Sequence, residues 1–431
     1  MAVGHAGESI AVEGGESTGS FTVPMILMVS LYFGIGFITA LNDILIPHFK
    51  DLFHLSNVLA LLVDLCFFGA YFVASLPSGW IVGRIGYKPG IMVALSTMGA
   101  GLLLFVPASI VISYPLFLFA LFVVGCGLAL LQVAINPYVG ALGKPETAAA
   151  RLNLCGFFNS GATTIAPYVG PLFIFLAAGA TTAELARSVR LPYVLIACFT
   201  FLLALITRFV HLPVLIEKRV EVSAAAKKAG GSAWQFTHLR LGAVAIFTYV
   251  GAEVAIGSVM INFLGQPSMG GMSHGAAARY VSLYWGGAMV GRLVGSVALR
   301  WVPTQRALAT VATVALLLVA IGIFGHGPVA LWAVVSCGLF NSVMWPCIFP
   351  LSVKGLGKFT SEGSGILVMM VVGGAVIPEI QGLLADKFGY QHSFAVVLLC
   401  YAYLIYFAVD GYRIRQPRFP SLPDFAPPVE V

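Results

Sequence analysis

The sequence predicts an all-α membrane protein with twelve transmembrane helices in two six-helix bundles and both termini cytoplasmic. Three observations carry this. Hydrophobic residues make up 59% and charged residues 9% of the 431, against ~45–50% and ~25% in soluble domains. At a mean hydropathy of +0.96, exposure to water would cost ~25 cal/mol per Å² of apolar surface, so the main solvent is lipid. The apolar runs, 192–210 and 307–324 among them, are continuous and lack the strict alternation of a membrane-barrel strand. The basic residues, finally, are distributed unevenly over the connections. Soluble enzymes, nucleic-acid binders and secreted disulfide domains are excluded by the same composition.

A spanning helix needs ~20 apolar residues. Breaks at polar and Gly/Pro clusters place helices at 22–46, 57–83, 89–110, 114–141, 150–178, 191–211, 239–264, 276–299, 305–325, 328–352, 361–385 and 390–411. Residues 1–20 carry Glu8, Glu13 and Glu16 but no Lys or Arg, so they lack the basic start of a signal peptide and read as a disordered cytoplasmic tail. The first bundle is then 21–211, a basic cytoplasmic connector 212–238, the second bundle 239–411, and a cytoplasmic tail 412–431. Eighteen of the 23 Lys and Arg, including Arg84, Lys88, Lys144, Arg208, Arg292 and Lys358, fall on the termini or on connections after even-numbered helices. Short translocated loops avoid such residues, so this side faces the cytoplasm. The net charge of +6 is a rim against anionic lipid and requires no nucleic acid.

All seven cysteines fall inside predicted helices with no CxxC pair, which points to packing and away from a disulfide framework or a zinc site. Neither a HExxH pair nor a GxxxxGK[ST] loop is present, so no resident metal or attached ATPase is expected.

Cutting the chain at the connector exposes an internal repeat. Gly83-Arg84 recurs as Gly291-Arg292, Leu142-Gly143-Lys144 as Leu356-Gly357-Lys358, and Pro167 as Pro378, at offsets of 208, 214 and 211 residues. A six-helix unit duplicated into twelve suggests bundles rocking about a midplane site, the geometry of a transporter.

The residues then become recognisable. SGWIVGRIGYK (78–88) resembles the loop between the second and third helices of the major facilitator superfamily. ALNDILIPHFK (40–50), QVAINPYVGALG (132–143), RLNLCGFFNSGATTIAP (151–167), YVGAEVAIGS (249–258), FPLSVKGLGKFTSEGSG (349–365) and VVGGAVIP (371–378) resemble its fucose–galactose–glucose:proton symporter family. The resemblance covers nearly everything except the tails and connector. It implies cation-coupled hexose or deoxyhexose uptake across a bacterial inner membrane by a multi-pass protein. Glu253 places the chain nearer the glucose/galactose branch, since fucose-type members carry a carboxylate where Gln132 stands and an uncharged amide where Glu253 stands.

Carboxylates within the membrane are the first candidates for coupling, because an ionised side chain at the bilayer centre costs ~2.5–3.5 kcal/mol even on the lenient insertion scale. Asp43, Asp64, Glu253 and Glu379 lie in predicted helices. Asp43, which also matches the family's acidic residue in ALNDILIPHFK, is the leading proton-coupling residue, with an interfacial helix-ending acid as the alternative. Glu253 is a candidate for both proton handling and sugar binding, against a structural hydrogen bond. Glu362, close to Lys358, reads as a loop charge or helix start.

Sugar hydroxyls both donate and accept, so buried amides and carboxylates suit them. Gln132, Asn136, Asn159 and Asn341 are the amides that fit, each also capable of plain helix-to-helix bonding. Asn136, directly before Pro137, leans to the structural role. Trp285, Trp345 and Tyr284 are aromatic candidates for the sugar face, whereas Trp80 and Trp301 belong to an interfacial belt.

The expected activity is proton symport of glucose or galactose by a monomer in lipid, with no cofactor. Fucose or another monosaccharide, or sodium coupling, are the alternatives. A sugar sensor would carry a long signalling tail, and the tails here are about 20 residues each.

Overall fold

The computed structural model describes residues 11–12, 21–55, 59, 62–174, 181–213, 215–216, 231–269 and 271–415. The chain opens with α1 (Thr22–Phe53), which closes on His54 in the left-handed conformation with its N–H on the Lys50 carbonyl. Next come α2 (Leu62–Ile85) and α3 (Tyr87–Val111). They are joined by Gly86 alone at φ +87°, a value an L side chain rarely adopts, so a single residue reverses the chain. α4 (Tyr114–Ala141) starts with Pro115 in its first turn, where the missing N–H costs nothing. α5 (Ala148–Ile174) follows. The next expected span, 191–211, begins earlier, because Thr181 and Glu184 form a capping box that starts α6 (Thr182–Ser188) just before α7 (Arg190–Phe209).

The later part runs through α8 (Thr237–Leu264), α9 (His274–Ala298) and α10 (Thr304–Phe324). The expected 328–352 helix is broken at Ser342–Val343 into α11 (Gly327–Asn341) and α12 (Met344–Val353). The expected 361–385 helix is likewise divided, by a 3₁₀ turn at Met370–Val372, into α13 (Thr360–Met369) and α14 (Gly373–Phe388). α15 (Tyr390–Ser393) and α16 (Ala395–Tyr406) complete the helices and run into a π turn over Phe407–Gly411.

Ten helical stretches among the described residues are long and apolar enough to cross a membrane. The two other long helices, α5 and α9, carry Arg151, Asn153 and Asn159, and His274, Arg279 and Arg292. Their polarity has a structural cause. They pack on each other where the two groups of helices meet, and so need less apolar surface than a lipid-facing helix.

Within residues 22–209, α1 packs on α5, α2 on α4, and α3 on both α4 and α7. Within 237–411, α8 packs on α14, α9 on α11, and α10 on both α11 and α16, which is the same pairing repeated. Contacts between the groups are carried by α5 against α9 and by α2 against α13. These approaches lie toward the end where the basic residues gather. A Cβ on Gly79 would sit 2.7 Å from the Ser361 carbonyl oxygen, and one on Gly365 would sit 2.6 Å from that of Ser75. Ser364 Oγ donates to the Val133 carbonyl at 2.9 Å across the same seam.

The basic end is further tied by side chains that satisfy helix-terminal carbonyls. Lys88 Nζ donates to the Arg208 and Val210 carbonyls, each at 2.9 Å. Arg151 gathers the α4–α5 corner, donating to the carbonyls of Val139 (3.0 Å), Gly140 (2.5 Å) and Lys144 (3.1 Å) and to Thr147 Oγ1 (2.7 Å). A two-residue antiparallel ladder pairs Ala11–Val12 with Leu215–Ile216.

Candidate functional site

Glu253 lies midway along α8 and is 8% exposed. Helical spacing places Tyr249 one turn earlier on the same face, and its hydroxyl donates to Glu253 Oε2 at 2.9 Å. Arg292, from α9, brings Nη2 to 4.0 Å from Glu253 Oε1. That oxygen is buried and has no hydrogen-bond partner among the described residues. A buried acceptor in this condition is costly and stands ready for a donor.

Behind Glu253 a second layer fixes α8. Tyr284 donates to the Glu253 backbone carbonyl at 2.9 Å, Asn341 Nδ2 donates to the Tyr284 hydroxyl at 2.9 Å, and Tyr401 donates to Asn341 Oδ1 at 2.6 Å. Asn341 and Tyr284 are fully buried, with these polar functions engaged within the protein. Replacing Asn341 by alanine is therefore expected to destabilise the fold by ~1–3 kcal/mol, because the buried Tyr401 hydroxyl loses its acceptor and the Tyr284 hydroxyl loses the donor it accepts from. Thermal unfolding in detergent measures this directly.

Arg292 was counted on sequence among the cytoplasmic loop charges. The structure corrects that: it lies well inside α9, its side chain 18% exposed. Its Nη1 donates to Ser160 Oγ on α5, so one guanidinium joins the helix groups. This is the site residue that charge counting missed. The available signal was an arginine flanked on both sides by apolar and small residues (AMVGRLVGSVA).

Next to Ser160, Asn159 Nδ2 donates to the Tyr32 carbonyl at 2.9 Å, and Gly36 leaves the room for it, since any Cβ there would collide with Asn159. The Tyr32 hydroxyl donates to Asn136 Oδ1, while Asn136 Nδ2 is buried without a partner among the described residues. Gln132 Nε2, one helical turn from Asn136, donates to the Tyr71 hydroxyl at 2.8 Å. Gln132 and Asn159 are half-buried, the condition in which an amide retains capacity for a ligand. Ser160 and Arg292 thus join this group to Glu253, and the buried atoms without a hydrogen-bond partner on Asn136 and Glu253 are a donor, Asn136 Nδ2, and an acceptor, Glu253 Oε1.

Asp43 lies in α1 and Asp64 in α2, and both side chains lie outside the described residues. Glu379 is exposed on α14. Glu362 stands in the first turn of α13, accepting from Ser232 Oγ at 2.6 Å. Among the aromatics, Trp345 is half-buried and stacked on Phe349, and Trp285 is 42% exposed against Gly257. Trp80 and Trp301 are exposed at the basic end, with the Arg84 guanidinium 3.8 Å above the Trp80 ring.

This architecture has known counterparts. The profile of the Major Facilitator Superfamily matches residues 28–378. The chain is 50% identical over 382 residues to the glucose/galactose transporter of Brucella abortus, covering 88% of this chain and 92% of that protein. It is 32% identical over 411 residues to the L-fucose-proton symporter of Escherichia coli, covering 90% and 93%. The crystal structure of the transporter FucP in the outward conformation superposes with a TM-score of 0.81 at 31% identity, covering 90% of this chain and 99% of that one.

Proposed function

The chain belongs to the major facilitator superfamily and, within it, to the fucose–galactose–glucose:proton symporter family; on that premise we propose that it is a proton-coupled importer of glucose and galactose. It is a multi-pass membrane transporter and not an enzyme. Our reading places it in a bacterial inner membrane as a monomer of twelve spans, with both termini and the basic end in the cytoplasm. Residues 21–211 and 239–411 form the two moving bundles in this reading. The close approach of α2 to α13 and of α5 to α9 at the basic end then corresponds to an outward-facing state, with the cytoplasmic side sealed.

The observation that carries the proposal is the buried Glu253 carboxylate, with one oxygen unpartnered and facing an arginine held by the other helix group. An ionised Glu253 attracts Arg292, whereas a protonated one releases it and offers its O–H. Sugar hydroxyls fit the same place, donating to Glu253 Oε1 and accepting from the amides of Gln132, Asn136 and Asn159. Asn341 acts one step back, holding Tyr284 against the Glu253 backbone. Because sugar and proton meet the same group, each changes the other's affinity, which is what coupling requires. Asp43 remains our choice for the residue that loads the proton from outside.

The test is uptake by purified protein in proteoliposomes, using glucose, galactose and fucose with proton and sodium gradients imposed separately. Glucose and galactose are expected to accumulate with the proton gradient alone. Accumulation with sodium alone, or a preference for fucose, would support the alternative coupling or substrate. Asp43→Asn is expected to abolish gradient-driven accumulation while leaving sugar counterflow. Full accumulation by that variant would remove Asp43 from the pathway.

A further inference from the structure

At the basic end, away from the sugar site, a groove of about 500 Å³ opens between the first turn of α3 and the last turn of α7. Its walls are Lys88, Pro89 and Met92 on one side and Arg208 and Phe209 on the other. The size falls within the ~300–1,000 Å³ of small-ligand sites.

Three features identify an occupant. First, the groove is cationic and uncompensated: no ion pair among the described residues involves Lys88 or Arg208. Second, its cationic wall is built rather than loose, because Lys88 is held on the Arg208 and Val210 carbonyls. These bonds also occupy α7 carbonyls that would otherwise repel an anion at this helix end. Two ammonium protons are used, and one remains for a ligand. Third, the groove sits where two apolar stretches end together, Tyr87–Val111 beginning and Thr182–Phe209 finishing there. Phe209 is 78% exposed at that boundary, and Met92 lies one turn deeper along α3. A ligand that satisfies this groove has an anionic head and an apolar tail, and the leaflet at the basic end is where anionic lipid attracts such residues.

We propose that this groove is a binding site for one anionic phospholipid of the phosphatidylglycerol type. Its phosphate lies between Lys88 and Arg208, and its acyl chain runs over Met92 and Phe209. Such a lipid would brace the end of α7, from which the chain leaves for the connector.

The experiment is native mass spectrometry of the full chain. Protein is exchanged into mixed vesicles of phosphatidylcholine and phosphatidylglycerol and then released in mild detergent. The protein is expected to retain one phosphatidylglycerol in preference to phosphatidylcholine. Arg208→Gln is expected to lower that retention about fivefold, the effect of one basic residue near a lipid headgroup. Phe209→Ser is expected to lower it with the charge unchanged. Sugar uptake in each variant confirms that the protein is folded, since neither residue belongs to the transport site. Equal retention in wild type and Arg208→Gln would overturn the site. Displacement of the bound lipid by millimolar inorganic phosphate would also overturn it, since a free anion would then suffice.

Discussion

Glu253→Gln is expected to lower sugar affinity by about 10- to 30-fold and to abolish proton-driven accumulation. Glutamine keeps the shape and can still accept from Tyr249, so the loss isolates the charge. What remains is an arginine with 18% side-chain exposure whose countercharge has gone. Truncating one side of a buried, hydrogen-bonded charge pair costs ~2–5 kcal/mol, and this pair, 4.0 Å apart with no hydrogen bond between its members, lies at or below ~2 kcal/mol. About 2 kcal/mol corresponds to ~30-fold. Equilibrium sugar binding to purified protein, together with uptake in vesicles, measures both effects. The double variant with Arg292→Gln supplies the control. If the pair is the functional unit, the second substitution is expected to add little to the first, because the stranded charge is removed. Independent, additive losses would mean that the two residues serve separate tasks.

Gly365→Ala is expected to disable transport through packing alone. The added Cβ would lie 2.6 Å from the Ser75 carbonyl oxygen, which is backbone and cannot swing aside. Overpacking of this kind costs ~1–3 kcal/mol, and it is felt only while α13 rests on α2. Conformations that differ by a few kcal/mol are reweighted severalfold to a hundredfold by that amount. Uptake is expected to fall about tenfold, while a cysteine placed at Ser75 becomes reactive to a membrane-impermeant maleimide in inside-out vesicles. Gly69→Ala, on the same helix as Ser75 but with nothing within 4 Å of its added Cβ, is expected to transport normally. If Gly365→Ala transports as well as Gly69→Ala, the seam does not govern the conformational balance.

Much of the fold was legible because membrane helices announce themselves through continuous apolar length, which composition alone determines. What resisted reading was local. The 3₁₀ turn at Met370–Val372 lies in a stretch as apolar as its surroundings, with no proline or charge at the point itself, and the break at Ser342–Val343 is marked only indirectly, by Pro346 four residues on, which has no N–H for the Ser342 carbonyl. The same limit concealed Arg292. A count of basic residues near helix ends treats an arginine as solvated, and only the approach of α9 to α5 and α8 gives it partners. Glu253, Asn136 and Asn159 stand out in the sequence because polar groups in hydrocarbon need a reason to be there. Asn341 stands out the same way, although its amide is engaged by Tyr284 and Tyr401. Sequence can identify an expensive residue, but not whom it serves.

The Arg151 fan across the α4–α5 corner has a mechanical consequence. A bend clamped by one guanidinium is stiff, so the arm that carries Gln132 and the arm that carries Asn159 are braced against each other as one piece at this end.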